Sequence, residues 1–332
     1  MTAVRLAVVG AGGIAKTYGE ILGGAHPVPA VAVGVVDVRD DAARSLAEPL
    51  GVPTFASVEA LLAAMAGQLD AVVLCTPPNT HPGLAAAFAA AGVHVLCEKP
   101  LAVDRAAAGA MAATAERAGT LLGMATKFRS CADVRTVADL IGAGQFGALR
   151  LVENGFTSRV DMSNRWNADP AVSGGGVLVD NGTHSVDLLR YLLGPLAEVL
   201  AVEVARPATM VVDDAARLHV RAESGVDGSV DLAWSIDKSL AEFLHVYGTD
   251  GEARVGWRES AWRRYGHDWQ VIGGGYAKHA AMGGALAQFC RAVAGDEPLE
   301  VTAAEGVAAA LAIDAAYESL RRGGWVKLAE LG

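Results

Sequence analysis

One rhythm limits what this chain can fold into more than any other feature. Short apolar runs at Arg5–Val9, Val31–Asp37, Ala71–Cys75, Val93–Cys97 and Leu121–Ala125 alternate with alanine-rich stretches. Such runs, apolar on both faces, read as strands buried on both sides. The intervening "DDAARSLAEPLG", "SVEALLAAMAG" and "HPGLAAAFAAAG" begin near Asp40, Ser57 and Thr80 and end at Gly51, Gly67 and Gly92, the start and stop signals of helices. "VDRAAAGAMAATAERAG" repeats the scheme from Asp104 to Gly119. Strands alternating with helices at this spacing predict an α/β fold with a doubly wound parallel sheet.

The rhythm changes after about Lys127. "ARLHVRAE", "GSVDLAWSI" and "EFLHVYGTDGEARVGW" alternate polar and apolar residues, as antiparallel strands do, with "TDGE" as a turn. Helix patterns flank them, "GVLVDNGTHSVDLLRYLLG" before and "GGALAQFCRAVAG" with "TAAEGVAAALAIDAAYESLRRG" after. The expected organisation is a Rossmann-type domain over 1–126, then an α+β domain over 127–332 with a large, mainly antiparallel sheet.

The opening turn can be read in two ways. In "VRLAVVGAGGIAKTYGEIL", Gly10, Gly12 and Ala15 form G-x-G-x-x-A, with Gly13 and Ile14 inside it. The same residues nearly match the P-loop, G-x4-G-K-[ST]. That reading fails because Ala15 replaces the glycine before the lysine, where backbone must wrap the phosphates. The dinucleotide reading demands a second strand ending in an acid that bonds the adenosine ribose, and "VAVGVVD" ends in Asp37. A carboxylate there favours NAD over NADP, whereas Arg39, two residues on, keeps NADP open, since arginine can pair with the 2′-phosphate.

Ligands of open parallel sheets collect at the carboxyl ends of strands. Two such ends carry unusual residues, Thr76-Pro77-Pro78-Asn79-Thr80-His81 and Glu98-Lys99-Pro100. A third cluster lies in the second domain, where Asp180 and His184 are spaced i, i+4 and share one helical face. The preceding Gly174–Gly176 run lets backbone approach another segment or a ligand closely. A lysine at a strand end is most often a solvated charge, and a histidine in an apolar helix a core residue. An aspartate one turn earlier favours function, because it can orient the ring. A metal set of Asp180, His184 and Asp187 lacks a second histidine or cysteine, so no metal is expected.

Charge and composition exclude other classes. A net charge of -10 with no basic cluster opposes nucleic-acid binding. Mean hydropathy is high at +0.31, yet the longest uncharged stretch, Ala71 to Cys97, is broken by "TPPNTH", so no membrane span is expected. Cys75, Cys97, Cys131 and Cys290 show no C-x-x-C spacing. They read as buried thiols in a reducing compartment, and the expected location is cytoplasmic.

Together "GAGGIA", "VVD", "CTPPNTH", "CEKPL" and "GGGVLVDNGTHSVDLLRYLLG" resemble the Gfo/Idh/MocA oxidoreductases, over essentially the whole chain. The resemblance implies catalytic Lys99, Asp180 and His184, and a cofactor lined by Thr76, Pro77, Asn79, His81, Glu98 and Pro100. It extends more loosely to Lys127 and Arg129 in "TKFR" and to Trp166 and Asn167 in "RWN" beside the substrate. It implies reversible oxidation of a secondary alcohol on a sugar or cyclitol. His184 would take the hydroxyl proton, Lys99 would stabilise the alkoxide, and Asp180 would hold the imidazole. Three other readings stand beside it: an NADPH-dependent ketoreductase of a nucleotide-linked sugar, an NAD-dependent glycosidase, and a non-enzymatic regulator. Specificity is expected from the second domain's sheet, around "LAWSIDKS". Packing through that sheet implies a homodimer or homotetramer.

Overall fold

The computed structural model describes residues 3–163 and 165–332. By internal contacts the chain forms two compact units. The first runs through Lys127 and takes back Lys278–Val307; the second comprises Phe128–Ala277 and Ala308–Gly332. A single cut after residue 126 therefore misses one return of the chain, because the helix at Lys278 supplies Met282, Leu286, Phe289 and Cys290 to the first core.

The first unit is built on six parallel strands, β1 (Val4–Val9), β2 (Ala30–Val36), β3 (Thr54–Phe55), β4 (Ala71–Leu74), β5 (His94–Glu98) and β6 (Leu122–Ala125). Their order is β3-β2-β1-β4-β5-β6, so the strand order reverses between β1 and β4. Helices α1 (Gly13–Glu20), α2 (Asp40–Ala47), α3 (Val58–Ala64), α4 (His81–Ala90) and α5 (Arg105–Ala118) connect them. Ser57 and Asp104 cap their helices by accepting from Ala60 and Ala107 N–H at 3.2 and 2.8 Å. Thr80 does not cap α4. Its hydroxyl turns back to donate to the Pro77 carbonyl at 2.7 Å. The two-residue β3 was too short to leave a periodic signal.

The second unit carries α6 (Ala132–Gly142), β7 (Leu149–Thr157), α7 (Pro170–Ser173), α8 (Val177–Leu193) and β8 (Leu196–Glu203). There follow β9 (Ala215–Ala222), β10 (Asp227–Ala233), β11 (Glu242–Gly248), β12 (Gly251–Gly256), β13 (Ser260–Arg264) and β14 (Gln270–Gly273). Next come α9 (Lys278–Val293), which belongs to the first unit, α10 (Ala303–Arg322) and β15 (Val326–Lys327). Strand order is β14-β13-β12-β11-β7-β10-β9-β8-β15, and β7 with β10 is its parallel pair. Helix α8 covers the face of β7, β9 and β10; Ser185 donates to the Asn154 side chain at 2.5 Å. Residues on and beside the strands form ion pairs, including Arg217–Asp231 at 2.8 Å, Lys238–Asp231 at 2.7 Å and Arg221–Glu198 at 2.6 Å. All four cysteines are buried and unbridged. No helix among the described residues is long and apolar enough to cross a membrane.

Candidate active site

In the first unit the expected cofactor residues converge on the carboxyl ends of β1, β2, β4 and β5. The turn after β1 needs glycine at its first position for two reasons. Gly10 has φ +90°, and a Cβ there would lie 2.9 Å from the Cys75 backbone at the end of β4. Gly12 and Gly13 have open space around them instead. The N-terminus of α1 has no side-chain cap, so its N–H groups are available to an anion. Asp37 closes this cradle. Its Oδ2 accepts from Ala11 N–H at 2.6 Å and its Oδ1 from Arg39 N–H at 2.8 Å, and each oxygen keeps a lone pair for a ribose hydroxyl. The Arg39 side chain is exposed, its Nε 3.9 Å from Asp37.

Behind the cradle, the Tyr18 hydroxyl of α1 donates to Glu98 Oε1 at 2.8 Å. Burial pushes the Glu98 carboxyl above its usual range, opposed by that bond and by the charges of Lys99 and Lys127. Glu98, expected on the cofactor, is thus committed to α1. The Lys99–Pro100 peptide is cis.

His81 also differs from expectation. It is 1% exposed, with Nε2 2.8 Å from the Thr76 carbonyl and Nδ1 3.2 Å from the Pro100 and Leu101 carbonyls. Cys97 Sγ lies 3.1 Å from the same Nδ1. The ring pins the Thr76 turn to the Lys99 turn rather than lining a ligand surface. Burial lowers its pKa from the ordinary 6.5, with the backbone contacts opposing. A lowered folded pKa gives stability that is present in full above the unfolded value and lost as pH falls through the folded one. Urea midpoints should therefore drop from neutral to mildly acid pH, and the drop should be smaller in His81→Gln; an equal drop would remove His81 as its cause.

In the second unit, Asp180 and His184 lie one turn apart on α8. His184 is 7% exposed, its ring edge-on to Phe128 at 5.1 Å and near Phe156 at 6.3 Å. The glycine run before α8 serves chain packing: a Cβ on Gly176 would collide with the Asp213 carbonyl. The Asp213 carboxylate caps the helix, accepting from Gly176 and Leu178 N–H at 3.1 and 2.8 Å and from the Tyr317 hydroxyl at 2.6 Å. Asp213 and Tyr317, which anchor this helix, were not foreseen, because the three segments lie far apart in sequence.

Arg129, expected on the cofactor, is held by an ion pair of the second unit. It is 5% exposed, its Nη2 2.7 Å and Nε 3.0 Å from the two Asp187 oxygens, with its guanidinium over the Tyr191 ring. Asp187 is thereby occupied by a cation of the chain itself, which undercuts the metal set. Trp166 and Asn167 sit on a separate short turn, Trp166–Ala168, with the indole exposed. Trp234, expected in a specificity segment, is buried, its N–H donating to the Asp214 carbonyl at 2.8 Å.

Two family models cover most of the chain. Residues 4–126 match an oxidoreductase family's NAD-binding Rossmann fold, and residues 134–254 match the Gfo/Idh/MocA C-terminal domain. The chain belongs to the Gfo/Idh/MocA oxidoreductase family. Its first unit is an NAD-binding Rossmann domain, and the Gly10–Asp37 cradle fits that cofactor. Among relatives, the rhizopine catabolism protein MocA of Rhizobium meliloti is 29% identical over 97% of this chain and 96% of its own. The D-xylose 1-dehydrogenase (NADP(+)) 2 of Haloferax volcanii is 32% identical over 87% and 90%. Among solved structures, GenD2 from gentamicin A biosynthesis, in complex with NAD, superposes with a TM-score of 0.85 at 27% identity, covering 98% of this chain and 97% of that one.

Proposed function

We propose that this family member is a dehydrogenase that reversibly oxidises a secondary alcohol of a sugar or cyclitol, with NAD as its preferred cofactor. One observation carries the reading: Asp37 bonded to the glycine turn makes a cradle for a dinucleotide with free ribose hydroxyls. The xylose-oxidising relative supports the substrate class. When bound, the nicotinamide accepts the hydride. His184 Nδ1 is buried, so Nε2 is the atom that takes the hydroxyl proton. Asp180 lies one turn earlier on the same helix, and Lys99 places its ammonium charge against the developing alkoxide. His81 and the Tyr18–Glu98 bond hold the turn from which Lys99 emerges.

A screen for NAD reduction against inositols, aldoses and amino sugars tests this directly. Release of phenol from aryl glycosides without net NAD reduction would replace it with the glycosidase reading.

Exposed Arg39 and the NADP-linked relative favour a second reading, use of NADP. Asp37→Ser separates the two. If Asp37 selects NAD, the substitution should shift the NAD/NADP affinity ratio by about tenfold or more toward NADP. An unchanged ratio would take Asp37 out of the ribose site. We further expect a homodimer or homotetramer, on the family resemblance; light scattering should give a native mass that is a multiple of 34.0 kDa, and a monomer at micromolar concentration would exclude it.

A further inference from the structure

The second unit gathers aromatic side chains in one place. The chain holds 7 phenylalanines, 6 tryptophans and 6 tyrosines, and Phe128, Phe156, Phe243, Trp257 and Tyr276 meet beside His184. Phe128 lies edge-on to the imidazole at 5.1 Å, and Phe156 stands 6.3 Å from it. Trp257 neighbours the other four rings, Phe243 at 4.9 Å, Tyr276 at 5.8 Å, Phe156 at 6.2 Å and Phe128 at 6.5 Å. Because Phe128 adjoins both, the imidazole and indole centroids stand no more than about 12 Å apart.

Position along the strand says which way the indole faces. Ala253 and Val255 of β12 are buried, while Glu252 and Arg254 alternate with them and pair with Arg263 and Glu242 on the other face. Period 2 carries Trp257 onto the side of Ala253 and Val255; its N–H still donates to the Ala241 carbonyl at 3.0 Å, one residue past the strand. Phe128, Phe156 and Phe243 are at most 7% exposed, whereas Trp257 is 38% exposed. Its open surface thus lies on the side of the sheet that carries His184, not on the charged side.

We propose that Trp257 is a specificity-determining residue, the platform on which the alcohol stacks, and that this alcohol is a six-membered ring with equatorial hydroxyls. The inference rests on the reading of His184 as the base. In such a ring the hydroxyls point outward around the rim and axial hydrogens cover both faces. One face is then an apolar disc that matches the electron-rich face of the indole. A rim hydroxyl reaches the imidazole, and the other face presents the axial hydrogen of the reacting carbon. That hydrogen leaves with its electron pair for nicotinamide C4, while the hydroxyl proton passes to His184 Nε2. An axial hydroxyl turned toward the indole would be stripped of water without gaining a partner.

Two matched pairs of probes test this on the full chain with NAD present: scyllo-inositol against D-chiro-inositol, and D-glucose against D-altrose. The first of each pair has an unbroken C–H face; the second carries adjacent axial hydroxyls that interrupt both faces. Calorimetry should show tighter binding of the first member in at least one pair, by about tenfold, the worth of one aromatic stacking contact. Trp257→Leu keeps the bulk without the π face and should remove that preference, whereas Trp257→Tyr should keep most of it. Where the bound ring is also oxidised, the loss should fall on KM and leave kcat nearly unchanged. A tryptophan that only packs would, once replaced, lower the melting temperature and weaken both members of a pair alike. Should Trp257→Leu fail to fold, the tryptophan emission of the wild type should change on binding the first member, and Trp257→Tyr should abolish that change. No binding of scyllo-inositol or D-glucose, equal affinities within both pairs, or an unchanged preference in Trp257→Leu would overturn the proposal. NAD reduction without any preference would overturn it and leave the dehydrogenase reading standing. Selective binding without NAD reduction would refute that reading and leave the platform in place.

Discussion

Replacing His184 with alanine should lower turnover by about 10²–10⁴-fold, the usual share of a positioned acid–base group, and leave NAD affinity near the wild-type value. The proposed dinucleotide cradle, the Gly10 turn and Asp37, belongs to the first unit, whereas His184 belongs to the second. The ring also fills space against Phe128 and Phe156, so some loss of stability is expected with the loss of turnover. These two effects separate the catalytic role from a packing role. A histidine that only packs would, once truncated, lower the melting temperature and leave turnover of the surviving fold nearly intact. The pH profile is a second check. Alcohol oxidation should rise through an apparent pKa in the neutral range, where imidazole titrates, and that limb should be absent from the variant. Lys99→Ala should also be severe. In the mechanism proposed above both groups act on one oxygen, and that mechanism predicts that its effect does not add to that of His184→Ala.

Arg129→Met is expected to destabilise the chain by about 3–5 kcal/mol, since it removes the guanidinium that pairs with the buried Asp187 carboxylate. The pair is buried on both sides, at 6% and 1% side-chain exposure, and screening by water is correspondingly weak. The double variant Arg129→Met with Asp187→Leu should recover most of the loss, because two apolar side chains of similar volume need no counter-charge. Urea denaturation of the three variants measures this. A cofactor role for Arg129 predicts the reverse: weaker NAD binding by the single variant at nearly unchanged stability, and no rescue by the second substitution.

Local pattern alone determined a good deal of this protein. The strand runs, the caps at Ser57 and Asp104, the choice of dinucleotide turn over P-loop, Asp37 at the end of β2 and the shared face of Asp180 and His184 all rest on interactions between residues a few positions apart. Spacing in the chain records such interactions directly. Other features follow from contacts that no spacing encodes. The order that sets β4 beside β1 is what makes Gly10 obligatory, because the Cys75 backbone stands where its Cβ would go. Burial among carbonyls from two separate turns makes His81 a pin, although its position beside the Thr76 turn reads as a cofactor contact. Asp187, 58 residues away, claims Arg129, and Asp213 and Tyr317 reach α8 from later segments. The return of α9 to the first core belongs to the same class. A side chain's partner is set by which surfaces the packed sheets and helices bring together, and that is decided only when the whole chain has closed around its cores.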